Sequence, residues 1–271
     1  MQYINLVKNI EKIDKEDLDL AVKIGQVDKE IGQLDKEIGQ LDKKIGQLDK
    51  DKGELDKDKG DLLHEKNKLS REYKKGPYYF VKKWINKHEP HLQESYEDSL
   101  SEGQFKSKLW LRNKLKNIKQ PEHPLHIEII GGWFGFPLIE MLDFLKIKQI
   151  DFYEIDGDCK KILVQYRNKF NCDFKIVEFG NYFERKELRR RDIIINTSCE
   201  HMDNISQMKN YYKNPKPLLV VQSNNYVKIE DHINCVNSTH ELEIKNEIKT
   251  TYYSQKLQLE QYNRYMVIGT W

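Results

Sequence analysis

No stretch of this sequence stays apolar for the ~20 residues that a bilayer-spanning helix needs, so a membrane-embedded role is not expected. The segment MQYINLVKNIEKIDKED lacks the uninterrupted apolar region of a secretory signal. Cysteine is sparse. Cys159, Cys172, Cys199 and Cys235 stand far apart, with no Cys-x-x-Cys pair for zinc and no framework for disulfides. No metal-ligand set is legible, and the expected metal content is none. A reduced, cytoplasmic protein is the simplest reading. An excess of one charge sign is lacking too. With 46 Lys and Arg against 44 Asp and Glu the net charge is +2, which indicates no nucleic-acid partner at the level of the whole chain. What is abundant is charge of both signs, 33% of residues against 38% hydrophobic. That is polar for one globule, so part of the chain is expected outside a packed core.

That part is a repeat. From Ile24 the chain reads IGQVDKE, IGQLDKE, IGQLDKK, IGQLDKD, KGELDKD and KGDLLHE, with a period of seven residues. Ile24, Ile31, Ile38 and Ile45 are each followed three residues later by Val27, Leu34, Leu41 and Leu48, the a-to-d spacing of a coiled-coil heptad. The register runs back through Leu20, Ile13, Ile10, Leu6 and Tyr3, and forward through Leu55, Leu62 and Leu69. A glycine at every b position costs ~1 kcal/mol of helix stability relative to alanine. A buried Ile or Leu returns roughly 1.5–3 kcal/mol, so the helix needs a partner to bury against. In a parallel homodimer Glu30 faces Asp35 and Glu37 faces Asp42, and these pairs repel weakly. Residues 1–75 therefore read as an oligomerisation or tethering arm pairing with itself or another helix, or as an expanded heptad that makes a poor helix.

Residues 76–123 read as a connector of two helices, opened by Gly76 and Pro77. The second helix could lie across the next domain's edge. Its basic residues, Lys106, Lys108, Arg112, Lys114, Lys116 and Lys119, read as a solvated face.

From residue 124 to 271 strands and helices alternate. LHIEII, QIDFYEID, FKIVEF, DIIIN and LLVVQSNN read as strands; LIEMLDFLKI and CKKILVQYRNKF read as helices. Alternation of this kind implies α/β architecture, a mostly parallel sheet with helices on both faces. EIKTTYYSQ and QYNRYMVIGT follow as two strands on a short link, which must be antiparallel.

In such sheets a ligand sits outside the carboxyl ends of the strands, beside the first. The first turn is GGWFG, with Gly131, Gly132, Trp133 and Gly135. Glycine lets a backbone turn sharply and approach a ligand. Glu154 closes the second strand nineteen residues after Gly135, placed to hold ribose hydroxyls. Asn181 follows the third strand, and NTSCEHM, from Asn196 to Met202, follows the fourth. At these residues the chain resembles class I S-adenosylmethionine-dependent methyltransferases, and GGWFG, NTSCEHM and QSNNY look like uncharacterised members of phage and bacterial genomes. The resemblance covers about residues 124–271. It implies a Rossmann-like sheet closed by a hairpin and S-adenosylmethionine as cofactor. Gly131, Gly132, Trp133, Gly135, Glu154, Asn181 and Asn196 would bind it, with Asn196, Glu200 and His201 on the catalytic side. Trp133 stands where the family motif has its central glycine, Ile129 where it has its acid, with Glu128 one position off. The methyl acceptor is not implied.

ERKELRRR, residues 184–191, precedes the fourth strand and reads as a solvated segment or a docking surface. The Gln222–Asn225 run reads as substrate contacts or a turn. Three activities stay open: a methyltransferase with an oligomerising arm, a non-catalytic adaptor, and a Rossmann-like enzyme using a nucleotide cofactor.

Overall fold

The computed structural model describes residue 26 and residues 29–53, 77–168 and 173–271. The a and d positions before residue 29 or after residue 53, together with Gly76 and Cys172, lie outside the described residues. The chain divides into two compact units, Met1–Glu65 and Lys66–Trp271.

In the first unit residues 29–53 are one helix, α1. Gln33 donates to Glu37 and Gln47 to Asp51, each four residues on, the spacing that puts side chains on one helix face. Ile31, Leu34, Ile38, Leu41, Ile45 and Leu48 are between 50% and 65% exposed. The a/d seam is thus an open apolar stripe.

The second unit is α/β. Its seven-stranded sheet comprises β1 (Leu125–Ile130), β2 (Ile147–Tyr153), β3 (Lys175–Phe179), β4 (Ile193–Asn196), β5 (Leu218–Asn224), β6 (Thr250–Gln258) and β7 (Asn263–Thr270). Their order is β3-β2-β1-β4-β5-β7-β6. The first five strands pair in parallel, and β7 runs antiparallel to both β5 and β6. The five parallel strands and closing hairpin are those expected. β7 inserts between β5 and β6, which shields the apolar run Tyr265–Ile268 at the centre of the hairpin. No helix among the described residues is long and apolar enough to cross a membrane.

One sheet face carries Ile127, Ile129, Phe152, Ile195 and Val220, covered by α2 (Pro77–His88), α4 (Glu102–Lys116) and α6 (Gly157–Arg167). The region expected as a two-helix connector holds three helices, with α3 (Gln93–Ser99) between α2 and α4. Tyr78, Val81, Ile85, Tyr96, Leu111 and Leu115 belong to the same core as the strands. α5 (Leu138–Met141) is a single turn, shorter than the apolar spacing of 138–147 suggests. Beyond it Leu142, Asp143 and Leu145 each donate three residues back, a tightened spiral that leads into β2 at Ile147. α6 starts on Asp156, whose side chain accepts from the Asp158 amide at 2.7 Å, a satisfied N-cap.

The other face also carries a helix, as expected, but most of its cover is 3-10 turn. Ile130, Tyr153, Ile194, Leu219, Val221 and Val267 are covered by tight 3-10 turns at Tyr182–Glu184 and Ile205–Tyr211 and by α7 (Thr239–Lys245). The 184–191 segment is solvated at Glu184, Lys186, Glu187, Leu188 and Arg190, but two of its arginines turn inward. Arg189 is buried, its Nε 2.9 Å from Glu128 Oε1, and Arg191 Nε lies 3.2 Å from the same oxygen while its Nη2 reaches Asp151. Strand alternation puts Glu128 on the same face as Ile130, where the Tyr212 hydroxyl donates to it. Glu128, one position from the motif acid, is thus the counter-ion of two arginines.

Candidate functional site at the carboxyl ends of β1, β2 and β4

β1 leads into a left-handed turn. Gly131 has φ +58° and Gly135 φ +84°, with Trp133 between them at φ +56°. For tryptophan that conformation costs roughly 1–2 kcal/mol. The surroundings hold it: the Trp133 amide donates to Glu154 Oε2 at 3.0 Å, and its ring stacks on Phe134 with centroids 5.2 Å apart. A Cβ on Gly132 would stand 2.5 Å from the Phe152 ring, so that glycine serves packing against β2. A Cβ on Gly131 would meet Met202 Cε at 2.5 Å and Ser198 Cβ at 3.5 Å. The open side of the turn therefore faces the loop after β4.

Glu154, at the end of β2, is half-buried and accepts one amide on each oxygen: Trp133 on Oε2 and Asp156 on Oε1 at 3.1 Å. Burial raises its carboxyl pKa, and the amides of Asp156 and Trp133 oppose this. Asn181 is committed locally. Its Oδ1 accepts from the Phe183 amide at 3.0 Å and its Nδ2 donates to Glu184 Oε1 at 3.4 Å, capping a 3-10 turn.

In the loop after β4, buried Asn196 accepts the Ser198 amide at 2.9 Å and directs its Nδ2 to the Met202 sulfur at 3.2 Å. Glu200 is buried on a 3-10 turn, Cys199–His201. Its Oε1 receives Asn224 Nδ2 at 2.6 Å and Arg264 Nη2 at 3.1 Å. Arg264 Nη1 also donates to the Thr197 carbonyl at 2.8 Å. His201 is exposed and meets the His232 ring edge to face, with centroids 4.5 Å apart.

The structure thus joins Gly131 with the Asn196–Met202 loop, and Trp133 with Glu154. Sequence reasoning missed Arg264, Asn224 as the holder of Glu200, His232 and Lys108. Lys108 is buried in α4 and not on a solvated face; its ammonium donates to Gln104 Oε1 at 2.9 Å. Burial first and then the Arg264 charge pull its pKa down to about 7, against Glu200. Of the Gln222–Asn225 run, Gln222 donates to the Ser107 carbonyl of α4 at 3.1 Å and Asn225 Oδ1 accepts the Asn263 amide at 2.9 Å. These two residues make structural bonds.

No family model matches the chain, and no curated protein matches it by sequence. Solved structures are similar at low identity. TehB from Haemophilus influenzae shares 11% identity at a TM-score of 0.46, over 59% of this chain and 60% of that one. The cyclopropane synthase MmaA2 from Mycobacterium tuberculosis shares 9% at 0.48, over 62% and 84%. TrmK from M. capricolum, in complex with S-adenosyl-homocysteine, shares 13% at 0.39, over 59% and 66%.

Proposed function

We propose that the second unit binds S-adenosylmethionine and transfers its methyl group, with the heptad helix pairing two copies of the chain. The observation that carries the first part is the Gly131–Gly135 turn set against Glu154. β1 lies between β2 and β4 in the sheet order, the switch point where open α/β sheets bind ligands. The residues fit the cofactor. A carboxylate has about four lone-pair directions. The amides of Trp133, Asp156 and Ile155 reach the Glu154 carboxylate, which leaves it acceptor capacity for a ribose hydroxyl. The one neighbour crowding Gly131 is the flexible end of Met202. Bound there, the cofactor would supply a methyl group already activated on a sulfonium. The chain's own task is then alignment of the acceptor, by the Asn196–His201 loop, with Glu200 and His201 nearest the acceptor's proton.

Glu154→Ala is expected to weaken S-adenosylhomocysteine binding at least tenfold in calorimetry while the circular dichroism spectrum is unchanged. Equal affinity in wild type and variant would remove Glu154 from the site. Two observations favour a second reading, a catalytically inert adaptor: Met202 covers Gly131, and Asn181 caps its own loop. If neither S-adenosylmethionine nor S-adenosylhomocysteine binds, the adaptor reading stands; heat on adding NAD alone would indicate a nucleotide enzyme.

For the arm, the open stripe on α1 carries the proposal. A second copy presents the same a and d positions in the same register, and Ile at a with Leu at d favours two strands. Full-length protein is expected to sediment as an oligomer. Ile38→Lys/Leu41→Lys should shift it to monomer at concentrations where the wild type is fully associated. A wild type that stays monomeric at tens of micromolar would overturn self-pairing.

A further inference from the structure

We propose that Glu200, His201 and His232 bind one divalent transition-metal ion. Glu200 and His201 also belong to the loop assigned above to acceptor alignment, but metal binding is read without S-adenosylmethionine, so its failure and the failure of methyl transfer are distinguishable. One ligand atom from each residue lies within 4.8 Å of the others. The residues come from two loops that are tied together. Glu200 and His201 follow β4, His232 follows β5, and the Asn234 amide donates to the Glu200 carbonyl at 2.9 Å while Asn234 Nδ2 donates to the Met202 carbonyl at 3.0 Å.

The carboxylate is half satisfied. Arg264 and Asn224 both donate to Glu200 Oε1. Oε2 is buried and has no hydrogen-bond partner among the described residues. A buried acceptor left this way is unfavourable, and a cation satisfies it. Arg264 and Asn224 also lock the carboxylate plane, as the outer partners of a ligating carboxylate do.

His232 is prepared in the same sense. Its Nδ1 contacts the Tyr226 carbonyl. A carbonyl only accepts, so Nδ1 carries the proton and Nε2 keeps its lone pair. A backbone carbonyl on the far nitrogen is the usual orienting partner of a ligating histidine. His201 is exposed and meets the His232 ring edge to face, with centroids 4.5 Å apart. Ligands at ~2.0–2.1 Å from a tetrahedral ion stand about 3.4 Å apart, so an ion draws these ligand atoms closer than the 4.8 Å within which they lie. Cys235 is not in the set, since its thiol is directed to Asn224 Oδ1 at 3.7 Å and the Tyr226 carbonyl at 3.6 Å.

Two imidazoles and one carboxylate suit zinc, iron(II) or cobalt(II), and not the all-oxygen preference of magnesium or calcium. Three protein ligands leave a position for an exchangeable oxygen, the arrangement of a reactive site and not of a structural one.

The test is titration of chelator-treated full-length protein with zinc chloride, and with cobalt chloride followed by visible absorption. One equivalent should bind, magnesium should not compete, and the cobalt spectrum should lack a thiolate charge-transfer band. His232→Ala should weaken zinc at least tenfold, and zinc should raise the melting temperature of the wild type but not of this variant. Glu200→Gln, which keeps the Oε1 acceptor, should also lose at least tenfold. Equal zinc affinity in wild type and His232→Ala, or a thiolate band, would overturn the site.

Discussion

Glu128→Ala is expected to destabilise the α/β unit by about 3–5 kcal/mol, the usual result of removing one partner from a buried ion pair. Arg189 is 4% exposed, and Glu128 supplies its carboxylate partner at 2.9 Å. Arg191 keeps Asp151, whose Oδ1 is steadied by Gln149 Nε2 at 2.5 Å. Without Glu128 the Arg189 charge remains inside, among Tyr153, Tyr182 and Tyr212, with centroid distances of 5.9, 5.3 and 4.7 Å. Those ring faces and the Arg185 carbonyl at 3.1 Å do not neutralise it. Urea unfolding monitored by tryptophan fluorescence reads the loss. Glu128→Leu/Arg189→Met removes both charges and should recover most of it, because an apolar pair of similar volume replaces a buried ion pair at little cost. A single-variant loss below about 1 kcal/mol, or a double variant as weak as the single, would show that solvent reaches Arg189.

Lys108→Met should have the opposite sign and depend on pH. The folded pKa of Lys108 is lowered to about 7, whereas an unfolded lysine titrates near 10.4. Below pH 7 both states carry the proton, so the full penalty of the buried ammonium is present. Between pH 7 and about 10.4 the unfolded chain holds more protons, and wild-type stability rises with pH. At pH 6 the methionine variant is therefore expected to be more stable, on the order of a few kcal/mol. The gap should narrow steadily toward zero by about pH 10.4. Thermal melts of both proteins from pH 6 to 10 give this curve. A difference that does not change with pH would mean that Lys108 is hydrated in the folded protein.

These two residues also mark where sequence reading stops. The alternation in Leu125–Ile130 and the short link before Asn263 are local signals, so the strands and the closing hairpin were legible. So was the place of Glu154 at the end of the second strand, because its distance from the glycine turn is a property of the chain. Glu128 has the same local appearance as any acid in a strand, and Arg189 that of a charged loop. Only the packing of β1 under the segment after β3 reveals them as partners. Lys108 sits in a run of basic residues that looks solvated, yet α4 turns it inward beside Arg264. The grouping of Glu200 with Asn224, His232 and Arg264 draws on four segments, and no spacing encodes it. The small share of α-helix on one sheet face, where α7 packs beside 3-10 turns, has a related cause. The 184–191 segment directs two arginines at strand carboxylates, and no helical stripe of apolar residues is left there to bury.

The helix of residues 29–53 has a further consequence through its units of construction. Each copy of the repeat adds ~10.5 Å of rise and turns the seam back to within ~20° of where it began. Gaining or losing one whole copy would lengthen or shorten the helix in a fixed step while leaving every remaining a and d position in phase. Gain or loss of three or four residues would instead break the phase of the stripe at that point. The near-identical seven-residue copies are thus a ruler, and the helix is free to change length by whole divisions with its apolar stripe kept on one side.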